Sequence, residues 1–339
     1  DLLRRIHETL GRTSRRLGEL ASEEESLRAA AALAPEGDER ARALYDLAEV
    51  RAKAKDFGEA RALYEEVVAI IRGSPDRPGK DVGLANMLSV LGQFLKTAGA
   101  FGAAEAALTE SVALFERTRG RESAEVYGPR NGLASLRYRQ GRFEEALAIY
   151  DDLAGPARAL AESNPLVPQN VRNNRALVLG SMGRLEEAAV GFEEVLARKR
   201  ERVGGADPTV GHTLHDYAQV LLRSGDLEQA EGRAREARAI FAASAAPGRE
   251  EFLGSLGLLL GEVALSRGRL EEAERELRDA IEAHGRWLPE DGFPIAEART
   301  ALAECLLRGG RLPEAEALAR ESLPVLERTF GVEDPRTRR

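Results

Sequence analysis

Few residues in this chain stand at spacings that could do chemistry, and each has a plainer reading beside it. His212 and His215 lie three apart on one helix face next to Asp216, a spacing at which two imidazoles can share a divalent metal. No fourth ligand is evident, so the pair reads better as residues lining a surface, and no metal is expected. Gly73-Ser74-Pro75-Asp76-Arg77-Pro78-Gly79-Lys80 has the look of a phosphate-cradling loop, but five residues instead of four separate its glycines and Asp81 follows the lysine. A polar connecting loop is the expectation there. His7-Glu8 begins a zincin-like string whose second histidine is replaced by Gly11. Cys305 is the single cysteine, which excludes an intrachain disulfide and a cysteine zinc cluster. It reads as a small buried hydrophobe, the alternative being a reactive thiol. Trp287 stands just before Pro289 and is expected to anchor a loop rather than to serve as a ligand platform. No nucleophile, base and phosphate loop converge, so the chain is expected not to be an enzyme and to use no cofactor.

The elements that carry these residues are legible from composition and period. Of 339 residues, 43% are apolar and 31% charged, with 57 acidic and 49 basic side chains and a net charge of -8. A core can therefore form, and the acidic balance argues against a nucleic-acid binder, which needs a basic surface. Asp1–Leu20 shows no basic and apolar leader, and no run of about 18 uncharged apolar residues occurs. The expectation is a soluble cytoplasmic protein with no membrane partner. Only Lys53, Lys55, Lys80, Lys96 and Lys199 are lysines among the 49 basic residues, a bias toward arginine that suggests a GC-rich, bacterial genome. The 33 glycines are unexpected in a helix-favouring composition, because glycine is costly inside helices.

A repeat accounts for them. Ala60, Ala104, Ala146, Ala188, Ala230, Ala273 and Ala315 are separated by 44, 42, 42, 42, 43 and 42 residues. Three before each stands a large apolar residue, as in Phe57, Phe143 and Leu227, and twelve before a small one, as in Ala48, Gly92 and Gly261. Five before stands Gly99, Gly141, Gly183, Gly225, Gly268 or Gly310, with Lys55 the exception. Leu88, Leu91, Gly92 and Leu95 share one face of a first helix, and Ala188, Phe192 and Val195 one face of a second. The glycine between them suits a left-handed helix end, and the glutamates that follow suit the positive end of the next helix. Loops such as Gly204-Gly205-Ala206-Asp207-Pro208 join the units, and a weaker unit with Glu23 at the anchor precedes them.

This pattern resembles the tetratricopeptide repeat. The long period, Asn173-Asn174-Arg175-Ala176, Gly183-Arg184-Leu185-Glu186-Glu187-Ala188 and the Gly-x-x-Asp-Pro loop resemble its kinesin light chain subtype. The resemblance implies an all-α, right-handed superhelical solenoid of antiparallel helix pairs, with about eight repeats. A single solenoid over 1–339 is expected in place of two domains. Its degenerate first repeat runs over about 3–38, followed by repeats over about 41–80, 85–126, 127–168, 169–210, 211–252, 254–295 and 296–335, with the start of another at 336–339. Arg51, Arg137 and Arg175 depart from the family at positions it fills with apolar residues, and Ala234 and Ala319 where it prefers larger ones. Because Asp1 is not a methionine and a further unit is broken off, the sequence is expected to be a fragment.

The resemblance also implies a concave groove lined by positions eighteen, fifteen and eleven before each anchor. They hold Asn86, Ser89 and Gln93, then Gly128, Asn131 and Ser135, then Asn170, Asn173 and Leu177, and then His212, His215 and Gln219, with Asn174 adjoining. None of the twelve is charged, which independent draws from this composition would give roughly one time in a hundred. Asn and Gln both donate and accept, so a row of them can satisfy the main chain of an extended peptide. Solvated polar residues on an exposed face are the plainer alternative. Arg5, Arg12, Arg15 and Arg16 in the first unit and Glu297 and Glu304 in the last would orient a peptide with an acidic and a basic end. The expected partner is a protein or peptide segment on an interaction scaffold; the alternative is the regulatory arm of a larger signalling enzyme. Helical-repeat RNA binding would need a basic groove, and the uncharged stripe speaks against it.

Overall fold

The computed structural model describes residues 3–4, 6–7, 9, 20–246, 248–332 and 334–338. Arg5, Glu8, Leu10, Gly11, Arg12, Arg15, Arg16, Gly18 and Glu333 lie outside them. Among the described residues there is no strand, and no helix is long and apolar enough to cross a membrane.

Helices come in pairs because every first helix ends on a residue with positive φ. Gly99, Gly141, Gly183, Gly225, Gly268 and Gly310 have φ between 72° and 83°, and Lys55 takes the same conformation at 65°. At each turn the next N–H reaches back over the helix end, as in Ala100 to Leu95 (2.9 Å), Arg184 to Leu179 (2.9 Å) and Arg269 to Ala264 (2.9 Å). These bonds satisfy carbonyls that a helix end leaves open and turn the chain into the second helix. Lys55 is the single positive-φ residue other than glycine among those described, and a side chain there crowds the backbone.

The chain forms two compact units, Asp1–Gly132 and Leu133–Arg339. In the first, α1 (Leu20–Leu33) is followed by the pairs α2 (Asp38–Lys53) with α3 (Phe57–Gly73) and α4 (Lys80–Thr97) with α5 (Phe101–Arg119). A 3-10 turn at Ala124–Val126 leads into α6 (Tyr127–Arg139). In the second unit α7 (Phe143–Asp152) and α8 (Ala154–Ala159) precede α9 (Val167–Ser181) with α10 (Leu185–Val203), then α11 (Pro208–Ser224) with α12 (Leu227–Ala243). The pairs α13 (Arg249–Ser266) with α14 (Leu270–Gly285) and α15 (Phe293–Arg308) with α16 (Leu312–Phe330) follow, and a last turn, α17, covers Pro335–Arg338.

All seven anchor alanines are buried, six of them completely, and so is each small residue twelve before. Glu23 takes the anchor's place in the weak first unit and is equally buried. Small size matters where helices cross: a Cβ on Gly92 would stand 2.6 Å from the Leu108 side chain, and one on Gly261 2.6 Å from Leu277. The large apolar residue three before the anchor is less sheltered, since Leu185 is 39% and Leu312 60% exposed at the first position of their helices.

The irregular positions are met by ion pairs and by one broken helix. Arg51 reaches Glu24 (2.7 Å) and Glu59 (2.6 Å), Arg137 reaches Glu145 (3.3 Å), and Arg175 reaches Asp151 (2.7 Å). Each carries its charge to the edge of the packed face, as long arginine stems allow. Ala234 is fully buried and Ala319 exposed. The second helix over 143–159, which the repeat predicts to be continuous, divides at Leu153. Pro156 has no N–H to give the Asp152 carbonyl and its ring crowds that carbonyl, so the Leu153 N–H closes on Tyr150 (3.2 Å) instead.

Two stability measurements follow. Lys55→Gly should raise the free energy of unfolding by about 0.5–1 kcal/mol in a urea titration; an unchanged or lower value would show that Lys55 carries no strain. Gly261→Ala should lose about 1–2 kcal/mol by overpacking, whereas Gly232→Ala, in α12 with nothing within 4 Å of the new Cβ, should gain up to about 1 kcal/mol. Equal signs for the two would refute the close-approach account.

Candidate functional site

In the first unit the uncharged row sits along α4 and the first turns of α6. Asn86 is exposed and its amide donates to its own helix at Val82 (2.9 Å). Ser89, Gln93 and Asn131 are half-buried. A Cβ at Gly128 would meet Ser89 at 3.9 Å, and the Gln93 amide lies directly against Gly132, where a side chain would collide with it. Gly132 therefore leaves room for the polar side chain of Gln93 on α4.

In the second unit Ser135, Asn170, Asn174, Leu177, His212 and Gln219 are half-buried, while Asn173 and His215 are 4% and 6% exposed. The two buried ones belong to a relay across neighbouring first helices. The Asn173 amide donates to Asp216 (2.5 Å), His215 Nδ1 meets the other Asp216 oxygen (3.2 Å), and His215 Nε2 meets the Gln219 amide (3.1 Å). Both ring nitrogens of His215 are thus engaged. His212 stacks on Phe252 (4.1 Å) and Phe241 (5.2 Å), and burial pulls its pKa down to about 4, so it is a neutral ring at neutral pH. Among the described residues no group of three His, Cys, Asp or Glu could hold a metal ion.

The other candidates also find local partners. Lys80 Nζ donates to the Ser74 carbonyl (2.6 Å) and to Asp76 (3.2 Å), while Arg77 pairs with Asp38 (2.5 Å). The cations of the loop that resembles a phosphate cradle are thus both engaged, Lys80 within the loop and Arg77 with Asp38 of α2. Cys305 is buried with its thiol on the Leu270 carbonyl (3.4 Å), and burial pushes its pKa up. Half-buried Trp287 packs near His284.

Lys199 and a second relay escape notice in the sequence. Lys199 sits inside α10 at 1% exposure, with Nζ donating to the Thr209 carbonyl (3.0 Å) and Thr213 Oγ1 (3.1 Å). Nothing in an Arg-Lys-Arg run marks its lysine as the buried member. The second relay joins Tyr138, Ser181 and Arg223 at the ends of three successive first helices. Its signal was available: Ser181 and Arg223 stand eleven after Asn170 and His212, a step that returns to the same helix face.

Burial lowers the Lys199 pKa from 10.5 to about 8. The unfolded chain then binds the proton more tightly than the fold does, so the stability tied to Lys199 is lowest below about pH 8 and rises toward about pH 10.5. Relative to Lys199→Met, the wild type should gain about 2 kcal/mol in unfolding free energy between about pH 7 and 10. Parallel pH profiles for the two proteins would contradict this.

Tetratricopeptide repeat family models match residues 9–78, 128–152, 169–243 and 254–328. Cellulose synthase operon protein C of Xanthomonas axonopodis pv. citri is 30% identical over 175 residues, 52% of this chain and 10% of the relative. The TPR repeat-containing thioredoxin TTL4 of Arabidopsis thaliana is 36% identical over 96 residues, 28% of this chain and 12% of the relative. The chain thus spans about a tenth of the length of these relatives. A crystal structure of a tetratricopeptide repeat protein from Parabacteroides merdae ATCC 43184 aligns with TM-score 0.63 and 15% identity, over 90% of this chain and all of that one. The apo quorum sensor NprR from B. thuringiensis aligns with TM-score 0.62 and 14% identity, over 96% of this chain and 88% of that one. NprR in complex with its cognate peptide NprX aligns with TM-score 0.53 and 14% identity, over 87% and 82%.

Proposed function

The chain belongs to the tetratricopeptide repeat family, whose arrays serve as protein-interaction scaffolds, and on that premise we propose that it is non-enzymatic and holds a peptide or protein segment against the concave face of its first helices. The observation that carries this reading is the row Asn170, His212 and Gln219, uncharged in a chain that is 31% charged. Asn170 offers a paired donor and acceptor to an extended main chain, Gln219 offers its carbonyl and the N–H not engaged with His215, and the His212, Phe241 and Phe252 rings form an apolar stack beside them. Asn173, Asp216 and His215 hold that face in place from beneath. The similarity in fold to NprR, a quorum sensor seen with a peptide, supports the same choice of partner. The long period and the Asn173-Asn174-Arg175-Ala176 run support assignment to the kinesin light chain-like subtype.

Selection of a random peptide library displayed on phage against the immobilised chain should return binders. For a synthetic copy of such a binder, Asn170→Ala together with Gln219→Ala should weaken affinity about tenfold or more, at roughly 1 kcal/mol per lost hydrogen bond. Circular dichroism of the double variant should show wild-type helicity at the assay temperature, with a melting midpoint lowered by loss of the Gln219 to His215 bond. Unchanged affinity would place binding on another surface.

A further inference from the structure

Arginines in this protein are habitually tied to carboxylates. Arg142 is held by Glu145 (2.6 Å), Arg184 by Glu187 (2.7 Å), Arg269 by Glu231 (2.9 Å) and Arg311 by Glu274 (2.8 Å). Arg308, in the same repeat position as Arg223, is held by Glu304 (2.5 Å). Arg223 is different. It stands at the end of α11, exposed, seven residues before its anchor, where it shares a helix face with His212 and Gln219. Its Nη1 donates to Tyr138 Oη (3.0 Å) and Ser181 Oγ (2.5 Å), and its Cζ lies 5.8 Å from the Tyr138 ring centre. No carboxylate among the described residues joins these contacts. Acids nearby on the chain are engaged elsewhere: Asp216 takes Asn173 and His215, and Asp226 caps α12 by accepting from the Gln229 N–H (3.1 Å) and amide (2.6 Å).

The arrangement immobilises a cation without neutralising it. Tyr138 and Ser181 come from α6 and α9, the two preceding first helices, and the Ser181 hydroxyl also donates to Tyr138 Oη (3.2 Å). Both Nη1 protons are spent on these neutral hydroxyls, which leaves the Nε and Nη2 edge, the fork that takes a carboxylate through two parallel bonds. The rotamer freedom that an exposed arginine loses on binding is already given up in the free protein. The net charge of -8 repels acidic partners at long range, so a preference for an acid has to come from a local contact of this kind.

We propose that Arg223 is a specificity-determining residue that selects an aspartate or glutamate side chain in the bound segment where it passes the ends of α6, α9 and α11. The proposal rests on the reading that the first-helix face binds a peptide. Tyr138 and Ser181 act as positioning residues for the guanidinium.

The same displayed library tests it. Peptides recovered on the wild type should be enriched in Asp or Glu at one internal position, and the enrichment should vanish when selection is repeated on Arg223→Gln. For a synthetic binder, replacing that Glu by Gln should cost about tenfold in Kd on the wild type and nothing on Arg223→Gln. Tyr138→Phe should reduce the preference for the acidic peptide while leaving its Gln counterpart equally well bound. Enrichment that survives in Arg223→Gln, binders without acidic bias, or dependence on the peptide's terminal carboxylate instead of an internal one would each overturn the proposal while leaving the peptide-binding reading intact. Failure to recover any binder on the wild type would overturn both.

Discussion

The left-handed residue at the end of each first helix is the constraint from which the remaining organisation follows. A positive φ, closed by one N–H bond back over the helix end, reverses the chain within a few residues. The second helix must then lie antiparallel against the first, and in the seven regular repeats alanine or glycine stands where the two cross. Ala188 meets these terms with ordinary helix formers around it, and Gly92 and Gly261 meet them where a leucine of the second helix already fills the space. The conformation rather than the residue type is the requirement: Lys55 adopts it where no glycine is supplied.

Packing of one pair on the next decides where polar groups go. Arg269 and Arg311 each bridge to a glutamate of the preceding repeat, Glu231 and Glu274, while holding Glu272 and Glu314 of their own. Exposed ion pairs contribute little singly, but Glu231 is 6% exposed and accepts from Arg267 and Arg269 together, so these contacts set register between neighbours. On the first-helix face the solution is different. Asn173, Asp216, His215 and Gln219 bond to one another across two helices, with Lys199 close by on neutral oxygens. Burial and mutual bonding of these groups hold that face in one arrangement.

The helix pairs, their turns and the buried anchors were legible in the sequence alone. A 42-residue recurrence of small, apolar and glycine residues leaves one way to bury every stripe, and period determines architecture. The face carrying the uncharged row was legible for the same reason, since helical spacing decides which side chains share a side. Tertiary structure alone decided which of them are accessible. Asn170 and Asn173 look equivalent in sequence, yet one is half-buried at the surface and the other is folded under it onto Asp216. Lys199, the division of the helix at Leu153, and the pairing that leaves Arg223 without a carboxylate among the described residues depend on contacts between residues about ten to eighty-five positions apart or on how a local break is accommodated. Local propensity and period act along the chain, whereas the burial and pairing of a charge depend on which distant groups arrive beside it.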